Sequence, residues 1–337
     1  MRCFGSHSEP TETVGLRKFR GAVAIITGGA SGIGRALAEA LAGKGAQAVV
    51  LVDRQVELAE EVAAGIRARA DCNTVVKVYE ADVTDYAAVE RVVAETHTTY
   101  GRLDYIFNNA GIAIVGPTDT FPVEDFDRVI GVNVLGVSHG VQAAYAVMKE
   151  QKFGHIVNTG SVAGLVSVSI ASSYSASKYA VVGLSTSLRV EAAEHGVRVS
   201  VLCPGIIDTP LFESGGKYGK DLVGMDRMSP EAKEKFRKKI HPMDPDLFAE
   251  KALRAVAANK AIIIIPRSYK PICWIHRMSP SLDLYLSKKM YQKITREMKK
   301  AIPAAVGTGE GAEESPAESP EESPKPLGDD NTGNIVV

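Results

Sequence analysis

Long hydrophobic runs are missing from this 337-residue sequence. The longest one near the end, 261–266, is far too short to span a bilayer. The first 20 residues are polar and lack the apolar stretch of a secretory signal. These two absences support a cytoplasmic location. Cysteine is scarce as well. Cys3, Cys72, Cys203 and Cys273 form no C-x-x-C pair and match no metal-ligand spacing, so free thiols and no metal site are expected. An excess of one charge is also absent: 39 Lys+Arg stand against 40 Asp+Glu, so no bulk field favours nucleic acid. What is present is 45% apolar residues, enough to bury an ordinary core.

From Gly21 onward, short apolar runs alternate with helical stretches. Strands are expected at Val23–Thr27, Ala48–Asp53, 75–79, Tyr105–Asn108, 156–159, 197–202 and 261–265. Helices are expected after the first glycine-rich turn to about Gly43, and over 54–70, Tyr86–Tyr100, 123–152 and 173–195. This alternation predicts one α/β domain over 21–266, a doubly wound parallel sheet of Rossmann type with helices on both faces. Residues 1–20 read as a flexible arm, and 212–242, rich in Gly, Lys and Met, as a lid over the sheet's carboxyl edge. Residues 267–302 read as a helical extension. The stretch 303–337, with its repeated E-E-S-P and A-E-S-P, reads as a disordered acidic tail.

The run T-G-G-A-S-G-I-G at 27–34 follows a strand and opens a helix. Glycines there let backbone approach a pyrophosphate, and the helix N-terminus attracts its charge. Gly28, Ser31, Gly32, Ile33 and Gly34 are the candidate contacts; a plain tight turn is the competing reading. Asp53 ends the second strand, where a carboxylate can accept both ribose hydroxyls of an adenosine and repel a 2′-phosphate. That favours NAD over NADP. Arg54 weakens the preference, because a guanidinium there tolerates the phosphate. An ordinary helix cap is the alternative for Asp53. Asp82 and Val83 follow the third strand, where an adenine would lie. Asn109, Ala110 and Gly111, within N-N-A-G at 108–111, follow the fourth and suit close packing against a cofactor.

Tyr174 and Lys178 stand four apart in a helical stretch and share one face. Y-x-x-x-K alone is common on solvated helices. Ser161, thirteen positions earlier and just past the fifth strand, gives it weight. Oxidising an alcohol requires a base for its O–H proton, and a tyrosine with a pKa near ~10 is a poor one at neutral pH. A neighbouring ammonium and a positive nicotinamide are expected to lower that value. Lys178 can supply the ammonium and hold the nicotinamide ribose. Ser161 can donate a hydrogen bond to the substrate oxygen, and in the reverse direction Tyr174 becomes the acid.

Together these motifs resemble the classical short-chain dehydrogenases/reductases, over about 21–265. The matching residues are T-G-x-x-x-G-x-G at 27–34, N-N-A-G at 108–111, Asn133 in V-N-V, Ser161, Tyr174 with Lys178, and Pro204-Gly205 with Thr209. The resemblance implies Asn133 as a fourth catalytic residue, holding a water that links to Lys178. It implies that Pro204, Gly205, Ile206 and Ile207 shape the nicotinamide face and that Thr209 bonds the carboxamide. It also implies a homodimer or homotetramer through the helices at 123–152 and 173–195. The implied activity is hydride transfer between NAD, or NADP, and a secondary alcohol or ketone. An NADP-linked ketoreductase and a non-catalytic dinucleotide sensor are the alternatives.

Apolar loops at 112–115 and 165–168 favour a hydrophobic small molecule, steroid-, lipid- or terpenoid-like; simple loop packing explains them equally well. Cations of the lid region could instead steer an acyl thioester. In the extension, Leu282, Leu286, Met290, Ile294 and Met298 recur every four positions among lysines. Such a stripe can lie on an anionic membrane. Packing on the protein's own body or on a second subunit is favoured over membrane contact through 280–300.

Overall fold

The structure, a computed structural model, describes residues 18–69, 73–211, 219–221 and 229–301. The arm up to residue 17, Cys3, Cys72, most of the expected lid (with Lys217, Met225, Arg227 and Met228) and the tail from 302 lie outside these residues.

The elements in chain order begin with β1 (Val23–Thr27), α1 (Gly32–Gly43), β2 (Ala48–Asp53), α2 (Val56–Arg67), β3 (Val75–Glu80), α3 (Tyr86–Tyr100) and β4 (Tyr105–Asn108). Then come β5 (Ala113–Val115), α4 (Val123–Ile130), α5 (Gly136–Gln151), β6 (Gly154–Thr159), α6 (Ser172–Ala192) and β7 (Val197–Pro204). The last are β8 (Gly219–Asp221), α7 (Pro230–Ile240), α8 (Pro245–Ala257), β9 (Ile262–Ile265), α9 (Lys270–Met278) and α10 (Pro280–Ala301).

Seven strands form one sheet in the order β3-β2-β1-β4-β6-β7-β9, and every pairing is parallel. Such a sheet must be covered on both faces, and its inner strands β2, β1, β4 and β6 are accordingly buried almost throughout. Alternate residues feed opposite cores. Ala24, Ile26, Val49, Leu51 and Phe107 join α1 and α8 through Leu37, Leu41, Phe248 and Leu253. Ile25, Val50, Val52 and Ile106 join α3, α5 and α6 through Val92, Val141, Val181 and Leu188. The chain lays β2 and β3 to one side of β1 and then crosses to β4 on the other. This leaves the topological switch point, where open α/β sheets bind ligands, at the carboxyl ends of β1 and β4.

The expected helix at 123–152 is interrupted. A π-helical turn, Gly131–Leu135, separates α4 from α5. A second difference is a two-stranded parallel sheet, β5 with β8, that no periodicity announces. In the extension, α10 meets the body through Asp283, which is buried, and Ser287, whose hydroxyl donates to Ser167 O. Leu282, Leu286 and Met290 are exposed instead. Packing of that row on the protein's own body is therefore not what the structure shows; the side chains of Ile294 and Met298 lie outside the described residues.

Candidate active site

The glycine-rich turn is built by close approach. Gly28 has φ +67°, and a Cβ there would lie 2.9 Å from Ala110 Cα. A Cβ on Gly34 would fall 1.9 Å from Gly28 O, so only glycine lets α1 start this near the turn. Ser31 occupies the N-cap of α1 without a side-chain hydrogen bond, and the first turn contains no acid. The leading N–H groups of α1 are thus left for an anion.

The turn is tied down from both sides. Thr27 Oγ1 accepts the Asn109 amide at 3.0 Å and the Ala110 amide at 3.1 Å. Asn109 Nδ2 donates back to Thr27 O, and Thr159 Oγ1 donates to Asn109 Oδ1. At the other flank Asp53 Oδ2 accepts from Ala30 N and Oδ1 from Gln55 N, each at 3.0 Å. Asp53 is not the N-cap of α2; Gln55 is. Each carboxylate oxygen keeps a further lone pair, as a ribose contact requires.

Arg54 leans away, to a 3.2 Å ion pair with Asp82. The pair is exposed and is worth only about 0–1 kcal/mol. Burial pushes the Asp82 carboxyl up, but the Thr84 amide and hydroxyl together with Arg54 outweigh it and leave the pKa below the ordinary value. Val83 is buried where α5 comes closest: a Cβ on Gly136 would lie 2.6 Å from its Cγ2. At the end of β7, Gly205 N donates to Ile265 O, and Ile207 is buried. Thr209 sets its methyl against Gly32, with its hydroxyl 3.5 Å from Ile207 O. Ile33 is partly buried against the core.

The expected catalytic residues converge at the same edge. Ser161 caps a short 3-10 turn, its Oγ accepting from Ala163 N. Tyr174 lies in the first turn of α6 and Lys178 one turn on, with Nζ 5.5 Å from the Tyr174 ring centre. Lys178 is 3% exposed, and its Nζ donates to Thr159 O at 2.9 Å. Burial lowers its pKa to about 8. Burial raises the Tyr174 phenol above its ordinary value, and a hydrogen bond from Ser161 offsets this only in part. The expected lowering by Lys178 is therefore not produced by the chain's own residues: desolvation of the phenolate wins.

Asn133 sits fully buried in the π turn. Its Oδ1 accepts from Ile112 N, and its Nδ2 donates to Ile112 O and to Ser177 Oγ, all within 3.0 Å. Ser177 Oγ in turn donates to Tyr174 O. One amide thus clamps the loop after β4 to the turn of α6 that carries the tyrosine and lysine. π turns recur at functional sites because they re-aim a side chain in this way.

Several residues at the site were not singled out from sequence. Thr27, Thr159 and Ser177 were within reach of such reasoning, since each adjoins a motif. Cys203, fully buried and with its thiol pushed to about 12 by burial, and Tyr269, whose ring packs on Gly205, carry no local signal. Of the apolar loops, Ile112 and Ile114 pack with Val129 in a small core, and Val166 is buried, whereas Val168 is exposed.

Residues 22–217 match the short chain dehydrogenase family. Levodione reductase of Leifsonia aquatica is 41% identical over 202 residues, covering 59% of this chain and 74% of its own. D-beta-hydroxybutyrate dehydrogenase of Rhizobium meliloti is 36% identical over 193 residues, 56% of this chain and 73% of its own. Among solved structures, a short chain dehydrogenase/reductase from Burkholderia phymatum in complex with NAD superposes with TM-score 0.66 at 29% identity, over 79% of this chain and 96% of that one. The matched span contains the glycine-rich turn, the Asn133 clamp and the Ser161–Tyr174–Lys178 cluster, and the chain belongs to the short-chain dehydrogenase family of oxidoreductases.

Proposed function

We propose that the chain binds NAD and interconverts a hydrophobic secondary alcohol and its ketone. The observation that carries this reading is the meeting of Ser161, Tyr174 and Lys178 at the switch point, beside a turn whose shape only glycine permits. The site's residues fit a dinucleotide: the uncapped start of α1 suits the pyrophosphate, and the spare lone pairs of Asp53 suit the ribose. When bound, the nicotinamide accepts or supplies the hydride.

The chain's own groups handle the proton. With its pKa raised, Tyr174 rests as a neutral phenol, ready to protonate a carbonyl oxygen. In the oxidising direction its Oη takes the hydroxyl proton of the substrate. Ser161 Oγ donates to the same oxygen and steadies its developing charge. Lys178 spends one N–H on Thr159 O and keeps two for the nicotinamide ribose. A pKa of about 8 leaves it mostly charged at neutral pH. Asn133 holds the loop and helix in register.

The pairing of Arg54 with Asp82 supports NAD, because the guanidinium is already engaged. An NADP-linked ketoreductase is the second reading, favoured only by the exposure that makes this pair easy to break. The hydroxyl and carbonyl substrates named for levodione reductase and D-beta-hydroxybutyrate dehydrogenase suit either. Fluorescence titration with NADH and NADPH separates them. Tight NADH binding with weak NADPH binding is expected; the reverse order would move the assignment to NADP, and binding of neither would remove the enzyme reading.

A further inference from the structure

The extension after β9 is built the wrong way round for a helix that serves its own core. α10 rests on the body through polar groups. Asp283 is buried, its Oδ2 accepting from His276 Nδ1 at 2.8 Å and from Ser167 N at 3.4 Å, and Ser287 donates to Ser167 O. Its apolar residues, where their side chains are described, face water. Trp274 and Met278 on α9, and Leu284 and Tyr285 on α10, each keep more than half of their surface exposed. Single exposed apolar residues need no explanation, but four large ones on two consecutive helices do.

The same segment is basic. Eight Lys and Arg against two carboxylates fall within 270–301, in a chain whose total formal charge is −1. One of those two carboxylates is Asp283, already buried against His276. Lys288 and Lys289 stand among the exposed leucines and tyrosines, where long side chains can lay their stems on apolar surface and keep the ammonium in the headgroups. Among the described residues no helix is long and apolar enough to cross a membrane. Two-fold self-association through this face would press like charges together. A polyanion such as DNA would leave the leucines and methionines without a partner.

We propose that α9 and α10 form a peripheral docking surface for an anionic phospholipid bilayer and lie within its interface. The contacts to Ser167, and of Tyr269 to Gly205, place that surface beside the carboxyl edge of the sheet.

Trp274 is the only tryptophan in the chain, so its emission reports on this surface alone. The full chain, without cofactor, is mixed with phosphatidylcholine vesicles with or without phosphatidylserine. Emission should shift to the blue and the protein should co-sediment, far more strongly with phosphatidylserine. Lys288→Ala with Lys289→Ala should weaken partitioning about thirtyfold, at about fivefold per cation. Leu284→Ser with Tyr285→Ser should weaken it at every salt concentration, whereas NADH binding by both variants stays intact and shows them folded. Three outcomes overturn the proposal: no binding to either vesicle by wild type, an equal shift on adding duplex DNA, or a lipid-free shift that follows protein concentration together with a larger sedimenting species.

Discussion

Replacing Asp53 by alanine separates a fold contact from a ligand contact. In the protein alone the carboxylate accepts two backbone N–H groups, one in the glycine-rich turn and one ahead of α2. Hydrogen bonds to a charged acceptor contribute about 1.5–3 kcal/mol each, and the lower end applies because both amides can be rehydrated at this partly buried site. The loss is about 3 kcal/mol, or roughly 6–12 °C in Tm for a domain of this size. With NADH, two further ribose bonds are lost, again about 3 kcal/mol, so Kd should rise about a hundredfold. NADPH behaves differently. Its 2′-phosphate would stand beside the carboxylate at ~4 Å, where one pair of like charges costs as much as ~4 kcal/mol near a protein surface. Removing the carboxylate relieves that cost, so NADPH affinity should hold or improve. Differential scanning fluorimetry gives the first number and nucleotide titration the other two. If both affinities fall by the same factor, Asp53 only anchors the turn and the ribose contact is refuted.

Tyr174→Phe should lower kcat by at least 10²-fold, in line with loss of a general acid, and leave the Kd for NADH within a few-fold; comparable turnover in the variant would end the proton-transfer role. His155 gives a pH test. Its Nε2 donates to Ser200 Oγ, whose own proton is committed to Lys260 O, and its Nδ1 finds no partner among the described residues. Burial first, then Arg198, Arg189 and Lys18, lowers its pKa to about 3. Between that value and the ordinary ~6.5, the unfolded chain binds a proton that the folded one does not, so stability falls as pH drops through this window, by about 2 kcal/mol at pH 5. Urea melts of His155→Gln should lack this acid slope, and an unchanged slope would refute the assignment. A chain ending at Pro303 should keep the Tm and activity of the full chain; a large loss of either would show that the acidic tail takes part in the fold.

The sheet and its flanking helices were legible because a two-sided parallel sheet writes itself as short apolar runs separated by helical stretches. The dinucleotide end was legible because glycine is demanded where Gly28 and Gly34 meet backbone. The Asn133 turn was not, since a π turn and an α-helix draw on the same residues. β5 and β8 are three residues each, too short to carry a period, and they pair far apart in sequence. The direction of the Tyr174 shift depends on how deeply α6 seats its first turn, which is a property of the packed molecule. The extension misleads for a similar reason: a repeat of four marks an apolar row, but whether the row faces inward is decided by Asp283 and Ser167, which no local pattern connects.

The knot between Thr27 and the amides of Asn109 and Ala110 has a bearing on how the chain is made. The partners are separated by 82 and 83 positions. A ribosome that has released only β1, α1 and β2 has exposed the whole glycine-rich run, yet the groups that brace it are still unsynthesised. The nascent segment therefore carries the letters of a nucleotide site without its form. Capture of the cofactor must wait for β4 to slide in beside β1, which makes it a late checkpoint on a nearly assembled sheet and not a seed around which the first half folds.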